Sequence, residues 1–154
     1  MAQTTVRPIG RTSGRHHRDV EAHLARARAG LLEAATTADA RERYATAHVA
    51  ALRAAAAVIA ARADAQATGR RRAPRSAWSL LVEIAPELGE WAAFFAAGAA
   101  KRAAAEAGLA NAVGQRDADD LLRDAGTFLA LLETTLGLAH QPALPPMVVA
   151  LRAS

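Results

Sequence analysis

The sequence lacks cysteine altogether, and it has few aromatic residues and a single lysine. The absence of Cys from all 154 residues excludes disulfide bonds and Cys-based metal sites, and it fits a reducing compartment. Aromatic residues make up only 4%, and Ala supplies much of the 52% that is hydrophobic. An Ala-rich composition that is poor in Val and Ile favours helix over sheet. The length predicts one domain with one buried core.

Long apolar runs and recognisable enzyme motifs are also missing. The N-terminus is basic but has no apolar stretch typical of a signal peptide. The longest uncharged apolar run, residues 91–100, is too short to cross a bilayer. A Gly-rich phosphate loop, a His-x-x-x-His metal pair and a Gly-x-Ser-x-Gly nucleophile are absent. We therefore predict a cytoplasmic protein with no membrane association and no cofactor.

Positive charge is concentrated in two segments. The net charge is +4, and removing the four Arg that precede Asp19 leaves 15 basic against 15 acidic residues. The second segment is the Arg-rich loop (residues 66–75), which contains Arg70, Arg71, Arg72 and Arg75. This loop is a candidate site for a polyanion, either RNA or an acidic protein. The alternative is a solvated loop, because no aromatic residue is interleaved with its arginines for base stacking.

The two ends of the chain differ from its middle. Residues 1–18 are rich in Thr, Ser, Gly and Arg without a helical period, which predicts a disordered basic tail. His16, His17 and His23 are interpreted as solvated histidines, because no acid or Cys completes a metal-binding set. A helical pattern covers residues 19–138. The C-terminal segment (residues 139–154) has three prolines and a small apolar patch, and it either docks on the bundle or stays loose.

Apolar residues recur at helical spacing in four long stretches and one short one. The predicted helices cover residues 19–36, 41 to between 65 and 68, 77–85, 86–107 and 117–136. Helix starts are expected to be capped by Asp19, Asp39, Ser76 and Asp117. Helix ends are expected at Gly69, Gly108 and Gly137. Since short turns make neighbouring helices antiparallel, the pattern predicts an all-α up-and-down bundle of four long helices plus one short helix.

The second helix carries the weak catalytic candidates, Arg43 and His48. Such a pair is chemically suited to RNA cleavage, because Arg steadies a phosphate and His accepts a 2′-hydroxyl proton. On a helix, however, five positions are about 140° apart, so the two side chains do not share a face. Tyr44, His48 and Leu52 follow one apolar stripe. The favoured interpretation is a core histidine bonded to the Tyr44 hydroxyl or to a backbone carbonyl.

Three glycines and a pair of phenylalanines also lie inside predicted helices. Gly30, Gly98 and Gly126 each cost up to about 1 kcal/mol relative to Ala, so we expect them where two helices approach closely. Phe94 and Phe95 are adjacent and point about 100° apart. One of them is therefore predicted to face the core, and the other covers a neighbouring helix or forms a dimer interface.

The order of motifs adds a family resemblance. It is carried by RYATAHVAALRAAAAVIAARA, the Arg-rich loop, SAWSLLVEIAPELGEWAAFFAAGAAKRAAAEAG and DADDLLRDAGTFLALLETTLG. Over residues 24–138 the chain resembles an actinobacterial HEPN family, the SAV-type HEPN proteins. The resemblance implies a HEPN-like helical bundle, often paired as a homodimer. Many HEPN proteins are ribonucleases or RNA-binding parts of toxin–antitoxin and defence systems, and others are non-catalytic.

The resemblance does not carry over a catalytic residue. Active HEPN nucleases have an Arg-x-x-x-x-His-type motif near the end of the third long helix, and the matching region here, residues 98–108, contains Arg102 but no His. The pair Arg43 and His48 lies on a different helix, with Tyr44 where a polar residue is usual. The favoured function is a non-catalytic HEPN-type module that binds RNA or a protein. The alternatives are a metal-independent ribonuclease that uses this pair and a structural, dimerising protein.

An up-and-down topology also predicts where charge lies. The second helix returns to the end of the bundle at which the first helix starts, so the Arg-rich loop is expected beside the N-terminal tail. The opposite end receives six acids: Asp39, Glu42, Glu106, Asp117, Asp119 and Asp120. We therefore expect a polyanion to bind at the basic end, with an affinity that falls steeply with salt.

Overall fold

The computed structural model describes residues 10–63 and 76–138, and within these ranges the regular structure is helical. Its elements are α1 (Gly10–Thr36), α2 (Ala40–Ala63), α3 (Ala77–Ile84), a 3-10 turn (Pro86–Leu88), α4 (Gly89–Glu106) and α5 (Gln115–Thr135). The predicted all-α bundle of four long helices and one short helix is confirmed. The four arginines of the Arg-rich loop and the C-terminal segment lie outside the described residues.

Helix α2 lies at the centre of the bundle and contacts α1, α3, α4 and α5. It is buried on several sides rather than along the single stripe predicted. Its buried alanines are Ala47, Ala50, Ala51, Ala54, Ala55 and Ala57. Their small side chains let neighbouring helices approach from different directions. By length and composition alone residues 40–62 are apolar enough to cross a membrane, a test that core helices of soluble proteins also pass.

Contacts at the helix ends define the topology. The Arg41 Nη1 donates to the carbonyl of Gly108 at 2.8 Å, so the start of α2 lies beside the end of α4. An ion pair of 2.5 Å between Arg62 and Glu87 places the end of α2 beside the start of α4. Helices α2 and α4 are therefore antiparallel. Since Asp119 near the start of α5 pairs with the start of α2, α5 runs parallel to α2 and the chain goes up and down.

Two predicted caps are confirmed. The Asp39 Oδ1 accepts the backbone N–H groups of Arg41 and Glu42 at 2.9 and 3.0 Å. The Ser76 Oγ accepts the backbone N–H of Ser79 at 3.1 Å. Each side chain thereby satisfies donors that the first turn of a helix leaves without partners.

The other two predicted helix starts are wrong. Helix α1 already begins at Gly10, so residues 10–18 belong to a helix rather than to a disordered tail, and Asp19 lies inside it. Polar residues extend an existing helix at little cost, and the last proline upstream is Pro8. Helix α5 begins at Gln115. Asp117 acts from inside its first turn, where Oδ2 accepts the N–H of Gly114 at 3.0 Å.

The predicted glycine stops at the ends of α4 and α5 are confirmed. Gly108 and Gly137 both have a φ of 71°, a conformation that glycine adopts without steric cost. Beyond each glycine the chain closes the helix with a backbone hydrogen bond, from Leu109 N–H to Ala104 O at 3.1 Å and from Leu138 N–H to Glu133 O at 2.8 Å.

Two of the three helical glycines mark close contacts. A Cβ on Gly30 would lie 3.1 Å from the Ala50 Cβ, and a Cβ on Gly98 would lie 3.0 Å from the Tyr44 hydroxyl. These positions confirm the expected close approach of α1 and of α4 to α2. Gly126 has nothing within 4 Å of such a Cβ, so the expectation is wrong there.

All five Trp and Phe side chains form one continuous cluster that joins α3, α4 and α5. Trp78 stacks on Phe95 with ring centroids 5.0 Å apart, and Trp91 stacks on Phe128 at 5.5 Å. Phe95 and Phe128 are fully buried. The cluster reaches the surface at Phe94, whose ring lies edge-on to Phe95 at 5.0 Å. The prediction that one of the adjacent phenylalanines faces the core is confirmed.

Candidate functional site

His48 is a core residue bonded to the backbone of α4. Only 1% of its surface is exposed, and its Nε2 lies 2.8 Å from the carbonyl oxygen of Phe95. Since a carbonyl oxygen only accepts, Nε2 carries the proton. The rings of Trp78 and Phe95 flank the imidazole nearly at right angles, with centroids 5.9 Å away. Burial lowers the pKa of His48, so the ring is neutral near pH 7.

Arg43 is also almost completely buried, with 8% of its surface exposed. Its Nε donates to the carbonyl of Thr37 at 2.9 Å and its Nη2 to that of Ala38 at 3.3 Å, while Nη1 pairs with Asp119. The guanidinium thus ties the turn between α1 and α2 to α5. Arg43 and His48 therefore bond to different parts of the bundle and do not share one site.

A different arginine approaches His48. Arg102 on α4 lies close enough for its charge to lower the pKa of His48 further, although less than burial does. Gly98, one turn earlier on α4, brings the helix against Tyr44 and His48. Helical geometry places Gly98 and Arg102 one turn apart on the same side of α4, but only tertiary packing brings that side next to His48. Because His48 is sealed, this group offers no open surface to a substrate.

A buried ion pair between α1 and α5 escaped the sequence analysis. Glu133 is fully buried, and its Oε1 lies 3.2 Å from the Nε of Arg28. The available signal was that Glu133 follows Leu129 by four positions on the apolar face of α5. A charge at such a position is tolerated only when it is paired.

The predicted acidic end exists, but it is interleaved with bases. The turn between α1 and α2 meets the α4–α5 loop there, since Gln115 on α5 donates to the carbonyl of Ala38 at 3.4 Å. Five of the six acids have a nearby base: Asp39 with Arg41, Glu106 with Arg102, Asp117 with Lys101, Asp119 with Arg43 and Asp120 with Arg123. These ion pairs reduce the expected polarisation. Of the predicted basic end, the described residues include Arg11, Arg15 and Arg18 at the start of α1, whereas the four arginines of the Arg-rich loop lie outside them.

An open groove with apolar side chains lies between α4 and α5. This α4–α5 groove has a volume of about 360 Å³ and is lined by Glu90, Trp91, Phe94 and Asp124. Phe94 is 46% exposed, and Trp91 packs edge-on against it with ring centroids 6.3 Å apart. Leu131 on α5 is also exposed. The groove therefore combines an aromatic floor with two carboxylates.

A second depression crosses α1, α2 and the end of α4. Its volume is about 220 Å³, and it is lined by Gly30, Glu33, Ala45, Thr46, Val49, Arg53 and Glu106. It has no aromatic residue and mixes opposite charges. No group of His, Asp and Glu within residues 10–63 and 76–138 is arranged to hold a metal ion.

Charge divides the described chain into two parts. Residues 10–63 contain nine Arg and five acids, whereas residues 76–138 contain four basic residues and nine acids. The α4–α5 groove belongs to the second, acidic part. The charged side chains that line the groove, Glu90 and Asp124, are both acidic.

The comparison with protein-family models identifies the family of this chain. The structure is an all-α bundle with a central Ala-rich helix and an aromatic cluster. A family model of SAV_6107-like HEPN proteins matches residues 34–133. The match covers more than half of the chain, so the chain belongs to this HEPN family. Searches of curated proteins and of solved structures found no significant match.

Proposed function

We propose that this chain is a non-catalytic HEPN-type module that binds a protein partner in the α4–α5 groove. The observation that carries the proposal is the exposed Phe94, which continues the buried aromatic cluster to the surface between Glu90 and Asp124. Aromatic side chains of this kind anchor protein interfaces, because they bury a large area at a small cost in side-chain entropy.

The charges of the groove favour a protein over RNA at this surface. Its two carboxylates repel a phosphate backbone, whereas they match Arg or Lys side chains. An aromatic face beside a carboxylate also attracts a cation held over the ring. The proposed partner therefore presents an apolar segment with at least one basic residue.

The surroundings of Arg43 and His48 support the proposed lack of catalysis. A general base has to reach the proton that it removes, and His48 is covered by Trp78 and Phe95. A phosphate-binding arginine needs free donors, and Arg43 already donates to two backbone carbonyls and pairs with Asp119.

The test compares two charge insertions at sites of similar exposure. Phe94→Arg places a cation in the groove, and Val82→Arg does so on α3, where Val82 is 43% exposed. Proteins that co-purify with the full chain from native cells are identified, and the partner is then titrated by calorimetry. We expect Phe94→Arg to weaken binding by about 30-fold or more, as loss of an interface anchor does, and Val82→Arg to leave it unchanged.

Three results would contradict the proposal. Equal binding of the partner by both variants would remove the groove as the site. Bound RNA whose affinity falls when Arg70, Arg71, Arg72 and Arg75 are replaced by Ser, at fixed ionic strength, would make the chain an RNA-binding module. An RNase activity that His48→Gln abolishes without a loss of stability would make it an enzyme.

A further inference from the structure

We propose that residues 147–152 of this chain occupy the α4–α5 groove and compete there with the protein partner. This inference rests on the proposed function, because it concerns the regulation of the same surface. The occupant is thus a part of the chain itself, which covers Phe94 until a partner displaces it.

The exposed apolar surface runs back along α5 from the residue at which the C-terminal segment begins. Leu131 and Asp124 are seven residues apart and lie on the same side of α5. A chain that turns back after Leu138 and runs along this side meets Leu131 first. It then meets Phe94 and Asp124, which line the groove.

The segment complements this surface in the matching order. Residues 147–152 read Met-Val-Val-Ala-Leu-Arg, so five apolar residues precede one cation. The apolar residues suit Leu131 and Phe94, and Arg152 comes to Asp124. Residues 139–154 contain no acid that the carboxylates of the groove would repel. Asp124 has a neighbouring cation in Arg123, but at 3.9 Å and on an exposed side chain, which leaves the carboxylate able to accept a second donor.

The length of the connecting chain allows this return. The groove extends to Asp124, fourteen residues before Leu138, which corresponds to about 21 Å along a helix. Residues 139–146 contain three prolines, which favour an extended chain over a continuation of α5. At about 3.1 Å per residue, these eight residues span about 25 Å. Residue 147 can therefore reach any point of the groove.

The tether makes weak binding sufficient. A connection of only eight residues gives the attached segment a high effective concentration, in the millimolar range for short linkers. A partner in solution then has to displace a segment that is always present. The expected consequence is a partner affinity that rises when the segment is weakened.

Disulfide trapping tests the contact in the full chain. Because the natural sequence has no Cys, two introduced cysteines are the only thiols. Leu131→Cys is combined with Ala150→Cys, and the background rate comes from Leu32→Cys with Ala150→Cys, since Leu32 is exposed on α1. We expect the groove pair to form an intramolecular disulfide at least about tenfold faster than the background pair, because docking raises the local concentration of the thiols.

Exchanging the charges of residues 152 and 124 distinguishes specific docking of the segment from random encounters that the short connection alone allows. Arg152→Glu is expected to slow trapping of the groove pair about tenfold, and adding Asp124→Arg is expected to restore it. A trapping rate that ignores Arg152→Glu would overturn the inference. So would a disulfide that links two molecules at a rate rising with protein concentration, since the occupant would then be a second copy.

The two experiments distinguish a failure of this inference from a failure of the proposed function. If the segment is not trapped but Phe94→Arg still abolishes partner binding, the inference is wrong and the groove remains the partner site. If the segment is trapped and Phe94→Arg leaves partner binding unchanged, the proposed function is wrong. If both hold, Arg152→Glu raises the affinity for the partner.

Discussion

Replacing His48 by Ala separates the core role of this residue from a catalytic one. The substitution removes a fully buried imidazole and its hydrogen bond to the carbonyl of Phe95. It also removes the edge contacts with Trp78 and Phe95. A structural role therefore predicts a loss of stability, whereas a catalytic role predicts a loss of activity in a protein that stays stable.

The expected loss can be worked out from these contacts. Truncating a buried side chain to Ala costs about 2 kcal/mol or more through the cavity that remains. The lost hydrogen bond adds about 1 kcal/mol, and removing the buried Nδ1, which has no hydrogen-bond partner among the described residues, returns about as much. The net decrease in the free energy of unfolding is about 2 kcal/mol. For a chain of this size that lowers Tm by roughly 4–8 °C.

Urea denaturation with a fixed m-value is the assay, because it reports stability without any substrate. Val82→Ala is the control, since Val82 is exposed and its truncation should change stability by less than about 0.5 kcal/mol. An unchanged free energy of unfolding in His48→Ala, together with the loss of a measurable RNase activity, would refute the reasoning.

The pH dependence gives a second measurement of the same residue. Burial lowers the pKa of His48, so below about pH 6.5 the unfolded chain binds a proton that the folded chain does not. Stability is therefore full above this pH and falls as the pH drops toward 5, by at most about 1.4 kcal/mol per pH unit. His48→Leu should flatten this slope. Asp39, Glu87 and Asp117, whose pKa values are lowered, act only at more acidic pH.

Two matched pairs of substitutions test the packing. Gly98→Ala should destabilise the bundle by about 1–3 kcal/mol in thermal denaturation, because its Cβ would lie 3.0 Å from a side-chain oxygen on α2. Gly126→Ala, with open space around it, should stabilise the bundle by up to about 1 kcal/mol. Equal effects would contradict the close approach of α4 to α2. Arg43→Ala should cost about 2–3 kcal/mol in urea denaturation, and Arg116→Ala, whose side chain is 95% exposed, less than about 0.5 kcal/mol. A similar loss for both arginines would show that the contacts of Arg43 are unimportant.

Local features of the sequence predicted most of the helix ends. Helix caps and glycine stops act on backbone groups only a few residues away, so they can be assigned from the sequence. Here these are Asp39, Ser76, Gly108 and Gly137. The start of α1 was missed because the tail before Asp19 lacks an apolar period. A helix exposed to water needs no such period to continue.

The sequence predicted only part of the α4–α5 groove. Adjacent Phe94 and Phe95 predicted one buried and one exposed ring, since neighbouring positions on a helix diverge. Which of them is exposed, and that it lies beside Asp124 of α5, depends on how α4 and α5 pack. The pairing of Arg43 with Asp119 likewise joins residues that are far apart in the chain.

The sequence by itself determined that this protein is an all-α bundle with a buried His48, and its resemblance to HEPN proteins indicated the family. Composition, periodicity and turn residues act locally and do not depend on which helices become neighbours. Tertiary structure alone decided that Arg28 reaches Glu133, that Gly98 admits Tyr44, and that an aromatic groove opens among carboxylates. These contacts depend on the rotation and spacing of whole helices, which result from packing all side chains at once.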